Sequence, residues 1–193
     1  MRARRARKQE KGFSMPSPHV EKVIHHLFQL KEDQSPPQIW AVLDAARTDV
    51  IYPRVFKASI PKACLFRGDR AYKLAWVAPY LVKVRQGDPF AEWLLENGWG
   101  KSWGIFLESA FPIRKLRDHL RALLTAKDED GKSFLFRYYD PRVFRIYLPT
   151  CNQSELEIIF RHASRFCLEA EEDNAIVDYS LKSGKLSEFV TQM

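Results

Sequence analysis

The sequence contains two partial matches to a phosphate-binding loop, but neither is complete. Gly-Lys-Ser occurs at 100–102 and again at 131–133, which is part of the pattern of a phosphate-binding loop. That loop needs another glycine five positions before the glycine that precedes the lysine, because its backbone curls tightly around the phosphates. Leu95 and Ala126 occupy those positions. We therefore expect no phosphate-binding loop.

Other catalytic and metal patterns are also weak. No GxGxxG follows the first predicted strand, so a dinucleotide site is not supported, and we expect no serine nucleophile elbow. His25 and His26 are adjacent, so on a helix they point about 100° apart and cannot share a metal ion as an i, i+4 pair does. The three cysteines, Cys64, Cys151 and Cys167, show no paired spacing. We expect structural histidines, reduced cysteines and neither a metal ion nor a cofactor.

Two aspartates stand where ligands or helix caps are commonly found. Asp44 ends the first predicted strand, IWAVLDAA at 39–46. Ligands tend to bind at the ends of strands in α/β sheets, so Asp44 could be the general base of a hydrolase. It could equally cap the following helix or pair with an arginine. Asp140 allows the same choice, and Pro141 directly after it favours a helix cap.

The net charge of +7 lies mostly in the N-terminal tail. Residues 1–12 hold six Arg and Lys against one Glu, which leaves about +2 for the other 181 residues. We expect a disordered leader, and a nucleic-acid-binding module that uses this tail is the alternative. The tail lacks the apolar stretch of a secretory signal, and no apolar run reaches the ~18–20 residues of a membrane span. We predict a cytoplasmic protein without a membrane anchor.

Segments with strand character alternate with amphipathic segments over residues 39–148. This alternation predicts an α/β fold whose mostly parallel or mixed sheet carries helices on both faces. Asp88-Pro89, Pro112 and Asp140-Pro141 mark the beginnings of helices. The predicted strands after 39–46 are KACLFRG (62–68), YLVKV (80–84), SWGIFLES (102–109) and SFLFRYY (133–139).

The last thirty residues predict a different arrangement. RFCLEAEE, AIVDYSL and KLSEFVT are separated by Asp173-Asn174 and Ser183-Gly184, which is typical of an antiparallel β-meander. The meander would either extend the main sheet or form a small separate layer. We predict a basic tail over 1–15 and a single α/β domain over 16–193, with the meander at 163–193 as its appendage.

Three blocks of the sequence together resemble one known family. They are KACLFRGD with APYLV (62–82), WLLENGWGKSWGIFLES (93–109) and GKSFLFRYYDPRVFRIYLPT (131–150). In this order and spacing they resemble the type VI secretion adaptor chaperones of the Tap or Tec type, also known as domain of unknown function 4123. The resemblance covers residues 38–191. It implies a cytoplasmic, non-enzymatic protein that binds an effector toxin encoded nearby, keeps it soluble and helps to load it onto the VgrG spike.

Six residues in these blocks are our predicted partner-binding residues, because Trp, Tyr and Arg are enriched at interface hot spots. Each also has a structural alternative. Trp103 and Tyr139 could be core residues, with Gly104 letting a neighbouring backbone approach closely. Asp140 could cap a helix, and Arg137 or Arg142 could pair with Asp44 or Asp140 inside the fold. The six are Trp99, Trp103, Arg137, Tyr139, Asp140 and Arg142.

Overall fold

The computed structural model describes residues 16–29, 38–127, 129–171 and 174–193. Within them lie nine β-strands and seven α-helices. The strands are β1 (Ile39–Asp44), β2 (Lys62–Cys64), β3 (Pro79–Lys83), β4 (Gly104–Glu108), β5 (Thr125–Lys127), β6 (Ser133–Leu135), β7 (Arg165–Glu169), β8 (Ala175–Lys182) and β9 (Lys185–Gln192). The helices are α1 (Pro18–Phe28), α2 (Ile51–Lys57), α3 (Gly68–Lys73), α4 (Pro89–Gly98), α5 (Ile113–Ala122), α6 (Pro141–Tyr147) and α7 (Gln153–Ile159). Two 3₁₀ turns, Ala75–Val77 and Leu148–Thr150, follow α3 and α6.

Seven strands form one sheet in the order β2-β3-β1-β4-β7-β8-β9, and every neighbouring pair is antiparallel. The α/β class is confirmed, but the prediction of a mostly parallel sheet is wrong. β1 and β2 point the same way, as do β3 and β4, so α2 and α4 do connect parallel strands. Each connection skips one position, however, and the skipped position is filled by a strand of the other pair. Helix α3, by contrast, joins the antiparallel neighbours β2 and β3. The alternation of strands and helices therefore did not determine which strands lie next to each other in the sheet.

The strand predicted at 133–139 is shorter than expected and lies outside the main sheet. Only Ser133–Leu135 is extended, and it pairs with β5 in a two-stranded sheet. The Phe136 N–H then donates to the Leu124 carbonyl at 2.8 Å, and the Tyr138 hydroxyl donates to the Leu120 carbonyl at 3.1 Å. These bonds turn the chain towards α5 and place Tyr138 in the core.

The C-terminal meander is present and extends the main sheet. β7 pairs with β4, and β8 and β9 continue the sheet beyond it. Lys182 and Lys185 lie opposite each other, so Ser183 and Gly184 form a two-residue turn. Both have positive φ, 51° and 76°, as a type I′ hairpin turn requires. The other predicted turn includes Asp173, which lies outside the described residues.

Helices cover both faces of the sheet. On one face α6 packs Phe144 against Phe166 and Tyr179, with ring centroids 5.0 and 6.4 Å apart. Asp178 lies on the opposite face, because successive strand residues alternate, and its carboxylate lies 2.5 Å from His26 of α1. All six residues of β1 are buried as a result. Within the described ranges, none of the helices combines the length and apolar character that crossing a bilayer requires.

Side-chain caps fix where several helices begin. Asp88 accepts from the Phe90 N–H at 2.8 Å, and Pro89 follows it as predicted. Asn152 and Glu155 form a reciprocal capping box at α7. Each cap satisfies backbone donors that a helix cannot satisfy itself.

Gly104 allows the two central strands to approach closely. A Cβ atom at this position would lie 2.1 Å from the Val42 carbonyl oxygen of β1. The neighbouring backbone cannot move aside, because β1 is held by ladders on both sides. The site therefore requires glycine, as the sequence analysis anticipated.

We predict that Gly104→Ala lowers the free energy of unfolding by about 3 kcal/mol, because the added methyl overlaps backbone in a packed core. Gly87→Ala is the control. Gly87 has a φ of 73° and open space around it, so it should cost only about 1 kcal/mol. Urea denaturation of both variants measures the difference, and equal losses would contradict the close approach.

Candidate partner-binding site

Asp44 is a buried carboxylate at the end of the central strand β1. Its Oδ2 forms an ion pair with the Arg137 guanidinium, and its Oδ1 accepts from the Ala46 N–H at 3.1 Å. Its own N–H donates to the Trp103 carbonyl at 2.8 Å. Both carboxylate oxygens are engaged, which is the arrangement of a structural anchor. Arg137 therefore has the intramolecular pairing that was one of its two predicted roles.

Asp140 and Arg142 form a second ion pair at the start of α6. Asp140 Oδ1 accepts from the Arg142 N–H at 3.1 Å and from its Nε at 2.9 Å, and Oδ2 accepts from a terminal guanidinium nitrogen at 2.6 Å. Burial alone would raise the pKa of Asp140, but these bonds to Arg142 outweigh it and lower the pKa below its ordinary value. The Asp140 side chain is buried, whereas 53% of the Arg142 side chain is exposed. Asp140 thus caps the helix and holds Arg142 at the surface.

Two of the predicted aromatic residues belong to the core. Trp103 packs against Trp93, with ring centroids 5.5 Å apart, and lies so close to Gly98 that a Cβ there would come within 2.6 Å of its ring. Tyr139 is buried, and burial, followed by the nearby Asp44, raises its pKa to about 12. It is therefore a neutral phenol at physiological pH. Neither side chain presents a surface large enough to bind a partner directly.

Residues 100–104 form a tight turn around a carboxylate of their own chain. Glu169, at the end of β7, accepts from the Gly100 N–H at 2.7 Å and from the Ser102 N–H and hydroxyl at 2.8 and 2.9 Å. The first Gly-Lys-Ser segment therefore does bind an anion, but the anion is Glu169. Glu169 was not predicted from the sequence, because nothing near it in the chain indicates a partner 67 residues away.

The sequence of the same turn, Gly-Lys-Ser-Trp-Gly, matches the GxSxG pattern of a serine nucleophile elbow. This match was not recognised above, where no nucleophile elbow was expected. In a nucleophile elbow the serine lies between a strand and the helix that follows. Here the order is reversed, since the turn follows α4 and precedes β4. The Ser102 hydroxyl donates to Glu169 and not to a histidine. The structural context thus differs from that of an elbow.

An open groove of about 980 Å³ lies beside these ion pairs. Its walls are the turn at 99–102, helix α6 with the 3₁₀ turn after it, and one end of β7, β8 and β9. Apolar side chains line it, of which Ile146 is 76% exposed and Val190 48% exposed. Arg145 also lines the groove and donates to the Glu169 carbonyl at 2.6 Å. We call this surface the α6–β9 groove.

The six predicted residues divide into two groups around this groove. Trp99 and Arg142 line it, and Trp99 is held by Phe106 at 5.9 Å between ring centroids. The other four support the surrounding structure.

Two exposed residues of the groove, Ile146 and Val190, were not predicted from the sequence. Ile146 had a signal, because Phe144 and Leu148 mark the buried side of α6 and leave Ile146 on the opposite side. Val190 had none, because its exposure depends on β9 being an edge strand.

One cluster has the residue types of a metal site. His26, Cys167 and Asp178 place their ligand atoms within 4.8 Å of one another. Asp178 is already bonded to His26 and pairs with Arg165 at 3.3 Å. Burial, followed by Asp178, raises the pKa of the Cys167 thiol well above its ordinary value. The three could bind a cation only by losing a thiol proton and loosening these bonds, so the described contacts favour a structural role in attaching α1.

The basic N-terminal tail lies outside the described residues, so the nucleic-acid hypothesis stays a prediction.

Two of the histidines pack against each other. His119 and His162 lie together near α7, with ring centroids 4.9 Å apart, and His119 Nε2 is 3.1 Å from the Ile159 carbonyl. Burial lowers the pKa of His119. His19 lines the α6–β9 groove.

A sequence profile of one protein family matches residues 39–157, which is more than half of the chain; its description is domain of unknown function (DUF4123). The chain belongs to the DUF4123 family. Neither a search of curated proteins nor a search of solved structures gave a match. The matched region runs from β1 to α7 and contains all six predicted residues. The α6–β9 groove therefore has one wall from the DUF4123 region and one from the meander that follows it.

The ion pair at α6 predicts a specific pH dependence. Asp140→Asn keeps a capping side chain but removes the charge that binds Arg142, so it should cost about 1 kcal/mol at neutral pH. Because the pKa of Asp140 is lowered by folding, its contribution is complete above the ordinary value of 3.8 and is lost as the pH falls through the lower folded value.

Urea unfolding of both proteins from neutral pH to below pH 3.8 tests this sign. The stability gap should close at the acidic end, and Arg142→Gln should behave like Asp140→Asn. A gap that stays constant with pH would contradict the assignment.

Proposed function

We propose that this protein is a cytoplasmic adaptor chaperone of a type VI secretion system. It binds an effector toxin encoded nearby, keeps that toxin soluble and helps to load it onto the VgrG spike. Membership of the DUF4123 family supports this proposal, together with the resemblance of the three sequence blocks. The observation that carries it is the α6–β9 groove, which exposes apolar side chains together with charged ones.

The groove has the composition of a polypeptide-binding surface. Ile146, Pro149, Val190 and the half-buried Trp99 supply apolar area, and Arg142 and Glu188 lie among them. Apolar and aromatic centres with polar rims are typical of protein interfaces. A standard interface covers about 800 Å² of each partner. The groove together with the adjoining edge strand β9 would form the centre of such an interface.

The two ion pairs explain why this surface is ready for binding. Arg137 anchors the segment before α6 to the end of β1, and Asp140 fixes the first turn of α6 and the Arg142 guanidinium. A partner then meets a helix whose position is already set. Binding that requires little reordering loses less conformational entropy and is correspondingly tighter.

Covering a toxin segment also gives the chaperone activity a physical basis. Exposed apolar patches on a toxin promote aggregation, and a partner that buries such a patch removes this route. A partner that binds only the folded toxin also shifts its folding equilibrium by mass action.

Ile146→Lys should weaken complex formation with the neighbouring toxin by about tenfold or more, because it places a charge among the exposed apolar side chains of the groove. Phe56→Lys is a matched control. Both positions are the penultimate residue of a seven-residue helix, and Phe56 is 68% exposed. Co-expression with the tagged toxin, followed by purification and affinity measurement, compares the two variants.

The wild type and Phe56→Lys should co-purify with the toxin, and both variants should melt like the wild type. Undiminished binding by Ile146→Lys would contradict the assignment of the groove as the toxin-binding surface. A toxin that stays soluble and is secreted normally without this gene would contradict the adaptor function itself.

A further inference from the structure

A second cavity, of about 660 Å³, lies away from the α6–β9 groove. It is formed by the segment after β2, the start of α3, the end of α5 and the β5–β6 hairpin. Three arginines line it, namely Arg67, Arg70 and Arg121. None of the described residues that line it is acidic. We call it the arginine pocket.

The structure fixes two of these arginines in place. Arg121 donates from one terminal nitrogen to the Cys64 carbonyl at 2.8 Å and to the Phe66 carbonyl at 3.1 Å. Arg70 lies over the Phe66 ring, with its guanidinium carbon 4.2 Å from the centroid. A guanidinium that is already ordered loses less entropy when it binds a carboxylate.

The described part of the chain neutralises the positive charge of the pocket only in part. The Asp118 carboxylate lies 2.9 Å from the Arg117 guanidinium and 3.8 Å from that of Arg121, so two arginines share one negative charge. No described carboxylate forms an ion pair with Arg67 or Arg70. Burial, followed by the like charges of Arg117 and Arg67, lowers the pKa of Arg121. An anion in the pocket would relieve this repulsion.

Apolar side chains form much of the remaining lining, together with the polar Thr125 and Ser133. Phe134 is 47% exposed on the β5–β6 hairpin, and Leu65, Leu124 and Leu135 lie beside it. A ligand that fits has to combine negative charge with apolar side chains. We propose that the arginine pocket binds an acidic segment of a polypeptide partner, with carboxylates on Arg67 and Arg70 and an apolar side chain against Phe134. The choice of a polypeptide rests on the proposed function.

The geometry favours a peptide over a nucleic-acid strand. Single-stranded nucleic acid needs a basic groove that follows its backbone and free aromatic faces on which bases stack. Here the arginines line one pocket, and among its described lining residues Phe134 is the single exposed ring, because Arg70 already covers a face of Phe66. One exposed ring does not provide the series of stacking faces that a strand of bases needs. Paired carboxylates, by contrast, match the fork of a guanidinium.

Fluorescence anisotropy of the full chain tests the inference with three labelled probes. They are a short peptide of Glu, Asp, Phe and Leu, the same peptide with Gln and Asn in place of the acids, and a short oligothymidylate. The acidic peptide should bind, and Arg67→Gln with Arg70→Gln should raise its Kd about tenfold or more, since charged hydrogen bonds are lost.

The matched control removes two exposed arginines elsewhere, Arg85→Gln with Arg161→Gln, and should leave the Kd nearly unchanged. Circular dichroism and thermal melting should show that both double variants are folded. Equal binding of the neutral peptide, tighter binding of oligothymidylate, or an unchanged Kd in the Arg67 and Arg70 variant would each overturn the proposal. Such a failure leaves the α6–β9 groove untouched, because the groove is tested separately by the toxin complex of Ile146→Lys.

Discussion

A carboxylate buried inside a β-sheet protein has to be neutralised, and this fold meets that requirement by binding Arg137 to Asp44. An unpaired charge there would cost several kcal/mol. The pair joins the end of the central strand to the segment that leads into α6, across 93 residues of sequence. From that point Asp140 caps α6, and Phe144 packs the helix onto β7 and β8. The position of α6, and with it one wall of the groove, therefore depends on this ion pair together with the packing of Phe144 and the bond from Arg145 to the Glu169 carbonyl.

The elements of the fold were largely predictable from local signals, whereas their arrangement was not. Asp88-Pro89 and Asp140-Pro141 marked helix starts, and Ser183-Gly184 marked the hairpin, because caps and turns are short-range chemistry. The neighbours of each strand are decided by long-range packing. A chain whose strands and helices alternate can form a sheet in which consecutive strands are parallel neighbours. It can equally form the sheet seen here, in which β3 lies between β2 and β1, and β1 lies between β3 and β4. The close contact of Gly104 with Val42 occurs only because β4 lies beside β1. No local pattern distinguishes these two sheets.

The candidate site was predictable to the extent that its residues lie in the family-like blocks. Arg137, Asp140 and Arg142 were singled out, and the intramolecular pairings considered for them are present. Glu169 and Val190 were not found, since their roles arise from strands that come together only in the folded chain. Ion pairs and helix caps therefore build a rigid support, and exposed apolar residues such as Ile146 and Val190 supply the surface of the groove.

The central claim is that this protein works by binding another polypeptide along α6 and β9. Hydrogen–deuterium exchange of the chain alone and in complex with the proposed toxin partner tests this claim most directly. Slower exchange of backbone amides over residues 142–149 and 185–192 is expected in the complex. Unchanged exchange in both segments, in a complex shown to be intact, would contradict it.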